Sequence, residues 1–125
     1  MKNDAAREMK ERLRSDLRAA LRQRRADEAR LLRTLVAAID NAEAPPLEAG
    51  VSVDRHRFAA RSAEIRRMVL SPEQVREVLI REVEERERAA AEMERLGRPD
   101  HAGVLRAEVM LAKRYLDPPV GTPGI

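Results

Sequence analysis

From Glu94 to Leu105 the chain reads ERLGRPDHAGVL, and this interruption of a long helical pattern narrows the available folds most sharply. Gly97 readily takes the left-handed conformation that ends a helix, and Pro99 fixes φ and has no amide to continue one. The pattern predicts a helix ending at Leu96 and a turn through Gly97, Arg98, Pro99 and Asp100. A further helix then starts at Pro99 or Asp100 and continues to Tyr115 or Leu116. The outcome is an antiparallel αα hairpin.

The first arm of this hairpin is announced by SPEQ, in which Ser71 serves as N-cap, Pro72 takes the first helical position and Gln74 completes a capping box. At 100° per residue, Val75, Leu79, Val83, Ala90 and Met93 form an apolar arc, and Arg86 lies close to its centre. On the second arm Ala102, Leu105, Val109, Ala112, Tyr115 and Leu116 form the arc, with Glu108 inside its margin. Arg86 and Glu108 stand at equal distances before and after Gly97, so folding the hairpin sets them level with each other. The expectation is a partly buried ion pair that fixes register. The alternative is an Arg86 that snorkels its head to water past small alanine neighbours.

Two more helices precede the hairpin. Ala6, Met9, Leu13, Leu17 and Ala20 recur at three- and four-residue steps over about 4–24, and Leu31, Leu32, Leu35, Val36, Ile39 and Ala42 form a broader stripe over about 26–42. Arg30, Arg33 and Asp40 are turned away from that stripe. Whether residues 24–28 carry one continuous helix or a tight helix-turn-helix stays open, because no Gly or Pro decides it. Periodicity fails from Ala44 to Leu70, a long loop made basic by Arg55, Arg57, Arg61, Arg66 and Arg67, with a short helical turn around 57–65. DPPVGTPGI, from Asp117, reads as a frayed tail. The fold class is all-α, a bundle of four main helices in one domain over 1–116. A composition that is 38% charged, with one Phe, one Tyr and no Trp, suits helices rather than sheets. Without cysteine there are no disulfides or thiolate metal sites, and no apolar run approaches the roughly 20 residues of a membrane span. The chain therefore reads as cytoplasmic.

The motifs carry a family resemblance. RLLRTLVAAIDNAEA, with Leu32, Arg33, Ala38, Ile39, Asn41 and Glu43, resembles the second-helix motif of the GatB/YqeY family. The run from Glu82 through ERERAAAEMERLGRPD to RAEVMLAKRYL, with Arg86, Gly97, Arg98, Asp100, Glu108, Tyr115 and Leu116, is similar to that family's second signature. The resemblance implies an all-α bundle related to the C-terminal domain of the B subunit of the glutamine-dependent tRNA amidotransferase, a domain that lies away from the catalytic centre and contacts tRNA. It also implies an amidotransferase-like, carbon-nitrogen ligase label and an amidotransferase-type protein as a partner. This chain departs from the family in having Asp117 before Pro118-Pro119 where members have Pro directly after Tyr-Leu, and in lacking a further small helical segment.

The residues themselves point away from catalysis. Amide transfer needs an activated nucleophile and a group that stabilises an oxyanion. Ser15 sits in a charged helix, Ser52 and Ser62 lie in the loop, Ser71 is a cap, and none has a base at a telling spacing. His56 and His101 occupy a loop and a helix start, where solvation or capping is the common role. No catalytic residue, metal ligand or cofactor site is assigned. Residues 1–33 hold 11 Lys or Arg against 6 Asp or Glu, which places the basic surplus at the front. Arg14, Arg18, Arg22, Arg25 and Arg33 could offer guanidinium forks to phosphates, although a charge-rich helical face is often only solvated. With so few aromatics, base stacking is nearly excluded, and RNA, tRNA above all, would be held by its backbone. The competing reading is a protein-interaction or homo-oligomerising module, in which an apolar face of the first or fourth helix docks on another chain.

Overall fold

The computed structural model describes residues 4–45 and 68–117. Among them the chain forms four helices and no strand: α1 (Ala5–Arg22), α2 (Ala26–Glu43), α3 (Pro72–Arg95) and α4 (Pro99–Lys113). The basic loop residues Arg55, Arg57, Arg61, Arg66 and Arg67, the short turn expected around 57–65, and the tail beyond Asp117 lie outside the described residues.

Both hairpins are closed by the same device. At the end of α3, Gly97 takes φ +75°, its amide donates to the Glu94 carbonyl at 3.0 Å, and the Arg98 amide reaches back to the Met93 carbonyl at 2.7 Å. At the end of α1, Arg24 takes φ +59°, its amide donates to Leu21 at 3.2 Å, and the Arg25 amide donates to Ala20 at 2.8 Å. Each set satisfies helix-terminal carbonyls through a left-handed residue and a bond spanning six residues, the Schellman arrangement. In each case the next helix begins two residues later. Helices α1 and α2 are thus separate, joined by a tight turn. A glycine marks one turn in the sequence, whereas an arginine carries the other.

The remaining ends follow local chemistry. Asp4 caps α1 through the Arg7 amide at 3.1 Å. Ser71 and Gln74 form the reciprocal capping box at the start of α3, at 3.0 and 2.9 Å. At α4 the helix begins at Pro99, with Arg98 in the cap position and no side-chain cap, so Asp100 lies inside the first turn and complements the helix dipole there. The Met68 amide donates to the Glu43 carbonyl at 2.8 Å, which brings the end of α2 beside the approach to α3 and buries Leu70.

The core is built from aliphatic side chains on facing stripes. Leu13 of α1, Leu31, Leu32, Leu35 and Ile39 of α2, and Leu79 of α3 are almost completely removed from water, joined by Val75, Val83, Val109, Ala112 and Tyr115. Helix α2 has the broadest stripe and touches α1, α3 and α4. Its breadth explains its central place, since a wider apolar face can serve several neighbours. Toward the tip of the second hairpin Ala90 and Ala102 are buried outside the main cluster, and Met93 and Leu105 are half-buried. No buried side-chain polar atom among the described residues lacks a hydrogen-bond partner. No helix among them is long and apolar enough to cross a membrane.

The two reversals give opposite expectations for mutation. Arg24→Gly should raise stability by about 0.5–1 kcal/mol, because the left-handed strain it relieves exceeds the added chain entropy. Gly97→Ala should lower it by about 1 kcal/mol, although open space surrounds the new Cβ, because the cost lies in the backbone. Thermal melting followed by circular dichroism measures both; equal shifts of one sign would contradict the assignment of strain to these two residues.

Candidate nucleic-acid interface and buried polar clusters

Arg14, Arg18 and Arg22 lie four residues apart on α1, which holds them within an arc of about 80° on the side opposite the core. All three are exposed, as is Arg33 on the outer side of α2. None of these four has an ion pair among the described residues. Neighbouring arginines behave differently: Arg7 holds Glu11 at 3.5 Å, and Arg30 pairs with Asp27 along α2. Arg25 is also engaged, by Glu28 at 3.0 Å and by the Gln23 side chain, so it does not join the unpaired set. Arg24 does. It is exposed in the reversal and has no ion pair among the described residues. Sequence reasoning passed over Arg24 because nothing showed that residue 24, rather than residue 25, would stand at the corner.

The second polar site is the one at the middle of the hairpin. Arg86 donates from Nε to Glu108 Oε1 at 3.0 Å, and from Nη1 to Glu82 Oε1 at 2.9 Å and to the Glu82 carbonyl at 3.1 Å. The guanidinium is 16% exposed and both carboxylates 19%, so a single cation is shared by two acids in a partly desolvated seam. Its head is held rather than released to water. Glu82, one turn before Arg86 on the same helix, is not a position that facing across the hairpin would identify.

A third cluster was not anticipated at all. Lys10, with a side chain 5% exposed, donates to Asp40 at 2.7 Å and to Glu43 at 2.5 Å. Burial alone would lower the Lys10 pKa, but the hydrogen bonds and charges of Asp40 and Glu43 together outweigh it and raise the value. Asp40, expected to point away from the α2 stripe, leans back to reach this ammonium. The sequence did carry the signal, because Lys10 sits one turn from both Ala6 and Leu13 on the apolar side of α1. At the other edge of α1, Tyr115 donates its hydroxyl to Asp16 at 2.5 Å, and the Arg12 guanidinium lies 4.6 Å from the centre of its ring. Arg12 also donates to the Arg114 carbonyl at 3.3 Å, and Arg76 to that of Leu116 at 2.6 Å. These bonds tie the end of α4 to α1 and α3, beside a groove of about 400 Å³ lined by Met9, Arg12, Val75, Arg76 and Tyr115. Burial, reinforced by the Asp16 carboxylate, pushes the Tyr115 phenol well above its ordinary value.

None of these clusters has the parts of a hydrolytic or transferase site. Ser71 is occupied as a cap, Ser15 and His101 are exposed, and Ser52, His56 and Ser62 lie outside the described residues. Among the described residues no group of three or more His, Asp or Glu side chains is arranged to hold a metal ion. The clusters lock helices together, and the unpaired guanidiniums face outward.

Two measurements follow from this geometry. In a double-mutant cycle, Arg86→Met and Glu108→Leu should each destabilise the fold, with a coupling energy on the order of 1 kcal/mol; strictly additive losses would mean that the two charges act independently. Because the chain has one Tyr and no Trp, ultraviolet titration reads Tyr115 alone. Its midpoint should lie clearly above 10.0 and fall in Asp16→Asn. Both Tyr115 and Lys10 hold their protons more tightly in the folded state. Their stabilisation is complete below the ordinary values of 10.0 and 10.5 and is lost as the pH rises through the folded-state values. An unshifted tyrosine midpoint would contradict the buried hydrogen bond. In comparison with known proteins, no family model, no curated protein and no solved structure matches this chain significantly.

Proposed function

We propose that this chain is a non-catalytic helical module of the GatB/YqeY type that grips tRNA, or a similarly folded RNA, by its phosphate backbone and works beside amidotransferase-type chemistry carried out by another protein. The observation that carries the reading is the set of outward guanidiniums, Arg14, Arg18, Arg22, Arg24 and Arg33, left without carboxylate partners among the described residues while Arg7, Arg25 and Arg30 close by are paired. A guanidinium can present two parallel N–H donors to a phosphate, and spacing along one helix face suits a backbone that runs past it. The lone carboxylate on that arc of α1, Glu11, is engaged by Arg7. The resemblance of the second-helix motif and of the hairpin signature supplies the substrate class. The sole tyrosine is buried against Asp16, so it offers no stacking platform, and recognition would rest on shape and charge.

Fluorescence anisotropy of a labelled tRNA tests this. With four or five phosphate contacts, affinity should fall by about two orders of magnitude between about 50 and about 200 mM salt. Arg14→Gln and Arg18→Gln should each flatten the salt dependence by about one unit of slope, whereas Arg88→Gln on the second hairpin should leave it unchanged. An absence of binding at the lower salt concentration would end the proposal.

A further inference from the structure

The outer side of α4 is apolar where a solvated helix would be polar. Met110 is 70% exposed and Val104 48%, and between them lie the exposed Gly103 and Ala107 with the half-buried Leu111. At 100° per residue these five positions form one strip centred on Ala107, directly opposite the strip that packs on α3. Asp100 lies on the same strip one turn before Gly103, and Arg114 lies near its other end. Both are exposed, and neither has an ion pair among the described residues. A helix that is apolar on both sides is one that has a neighbour on both sides. Among the described residues α3 covers one side, while on the other Asp27 and Glu28 of α2 only border a groove along the strip.

We infer that the missing neighbour is a second copy of the same chain, with the two α4 helices packed antiparallel about a twofold axis at Ala107. The spacing of the strip is self-complementary in that arrangement and in no parallel one. Asp100 and Arg114 are equally distant from Ala107, so each acid meets the other copy's arginine, twice per dimer. A twofold axis of this kind also sets each flank of the strip against the same flank of the other copy. Met110 then stands level with Gly103, where nothing lies within 4 Å of the place a Cβ would occupy, and Val104 stands level with Leu111. Ala107 meets Ala107, and the small side chains let the backbones approach. Large therefore faces small on one flank, two branched aliphatic side chains meet on the other, and opposite charges meet at both ends.

The strip is much smaller than the roughly 20–30 residues per side of a standard stable interface, so the association is weak and depends on concentration. It involves none of Arg14, Arg18, Arg22, Arg24 or Arg33, and stands or falls apart from the RNA proposal. Sedimentation equilibrium of the full chain, without nucleic acid, from about 10 µM to about 1 mM should show the mass rising from monomer toward dimer, with Kd on the order of 10⁻⁴ M. Ala107→Arg, a change at an exposed position that sets two like charges together, should weaken the dimer at least tenfold, with helicity by circular dichroism unchanged. Asp100→Arg and Arg114→Asp should each weaken it, and the two combined in one chain should restore it to within about threefold, because the exchanged charges again meet their opposites. A monomer throughout the range, a dimer indifferent to Ala107→Arg, or a doubly exchanged chain no better than the single variants would overturn the inference.

Discussion

Everything in this molecule hangs on two backbone reversals, at Arg24 and Gly97, each made by one residue in the left-handed region and followed after one intervening residue by a new helix. A reversal this short leaves no slack. Once its bonds to the preceding helix are made, the register between the two arms follows, and with it the identity of every facing pair. Lys10 reaches Asp40 and Glu43 across the first hairpin, and Arg86 reaches Glu108 across the second, because the corners set those distances. The first corner is made by an arginine at a conformational cost, and the hydrogen bonds and buried leucines around it compensate.

The polar clusters do what the core cannot. A core assembled almost wholly from alanine, leucine and other aliphatic residues is non-directional, and similar stripes can slide past one another by a turn with little loss. A buried ammonium or guanidinium cannot slide, since the displaced charge would be left without its acids. Lys10 and Arg86 are placed one in each hairpin, and the Tyr115 hydroxyl with Arg12 joins the end of the second hairpin to the first. All three use long side chains that bury an apolar stem and deliver a polar head to a partner on another helix. Their chemistry is that of fasteners.

The surface divides along the same lines. The first hairpin presents to the outside guanidiniums that have no carboxylate partner among the described residues, and the second presents an apolar strip ended by an acid and a base. These faces are on different hairpins, so a backbone-gripping role and self-association do not compete for the same residues. A weak dimer would also double the number of arginine faces available to one long polyanion, which is a means of raising avidity without any new contact.

The sequence alone determined which of the described segments are helical, their apolar faces and the position of the second reversal, because periodicity, the Ser71 capping box and the Gly97-Pro99 pair are local signals that need no tertiary context; it left open whether α1 and α2 are one helix or two. Equal spacing about Gly97 also made the Arg86 and Glu108 pairing legible before any coordinates. The corner at Arg24 was not legible, since an arginine in the left-handed region has no local signature and is selected by the packing of α1 on α2. Asp40 turning back to Lys10, the addition of Glu82 to the Arg86 cluster, and the joining of Tyr115 to Asp16 across the bundle depend likewise on which helices become neighbours. Only the tertiary structure decided which arginines keep a free charge, because that depends on whether a carboxylate lies within about 4 Å, and distance between helices is not written in the order of the residues.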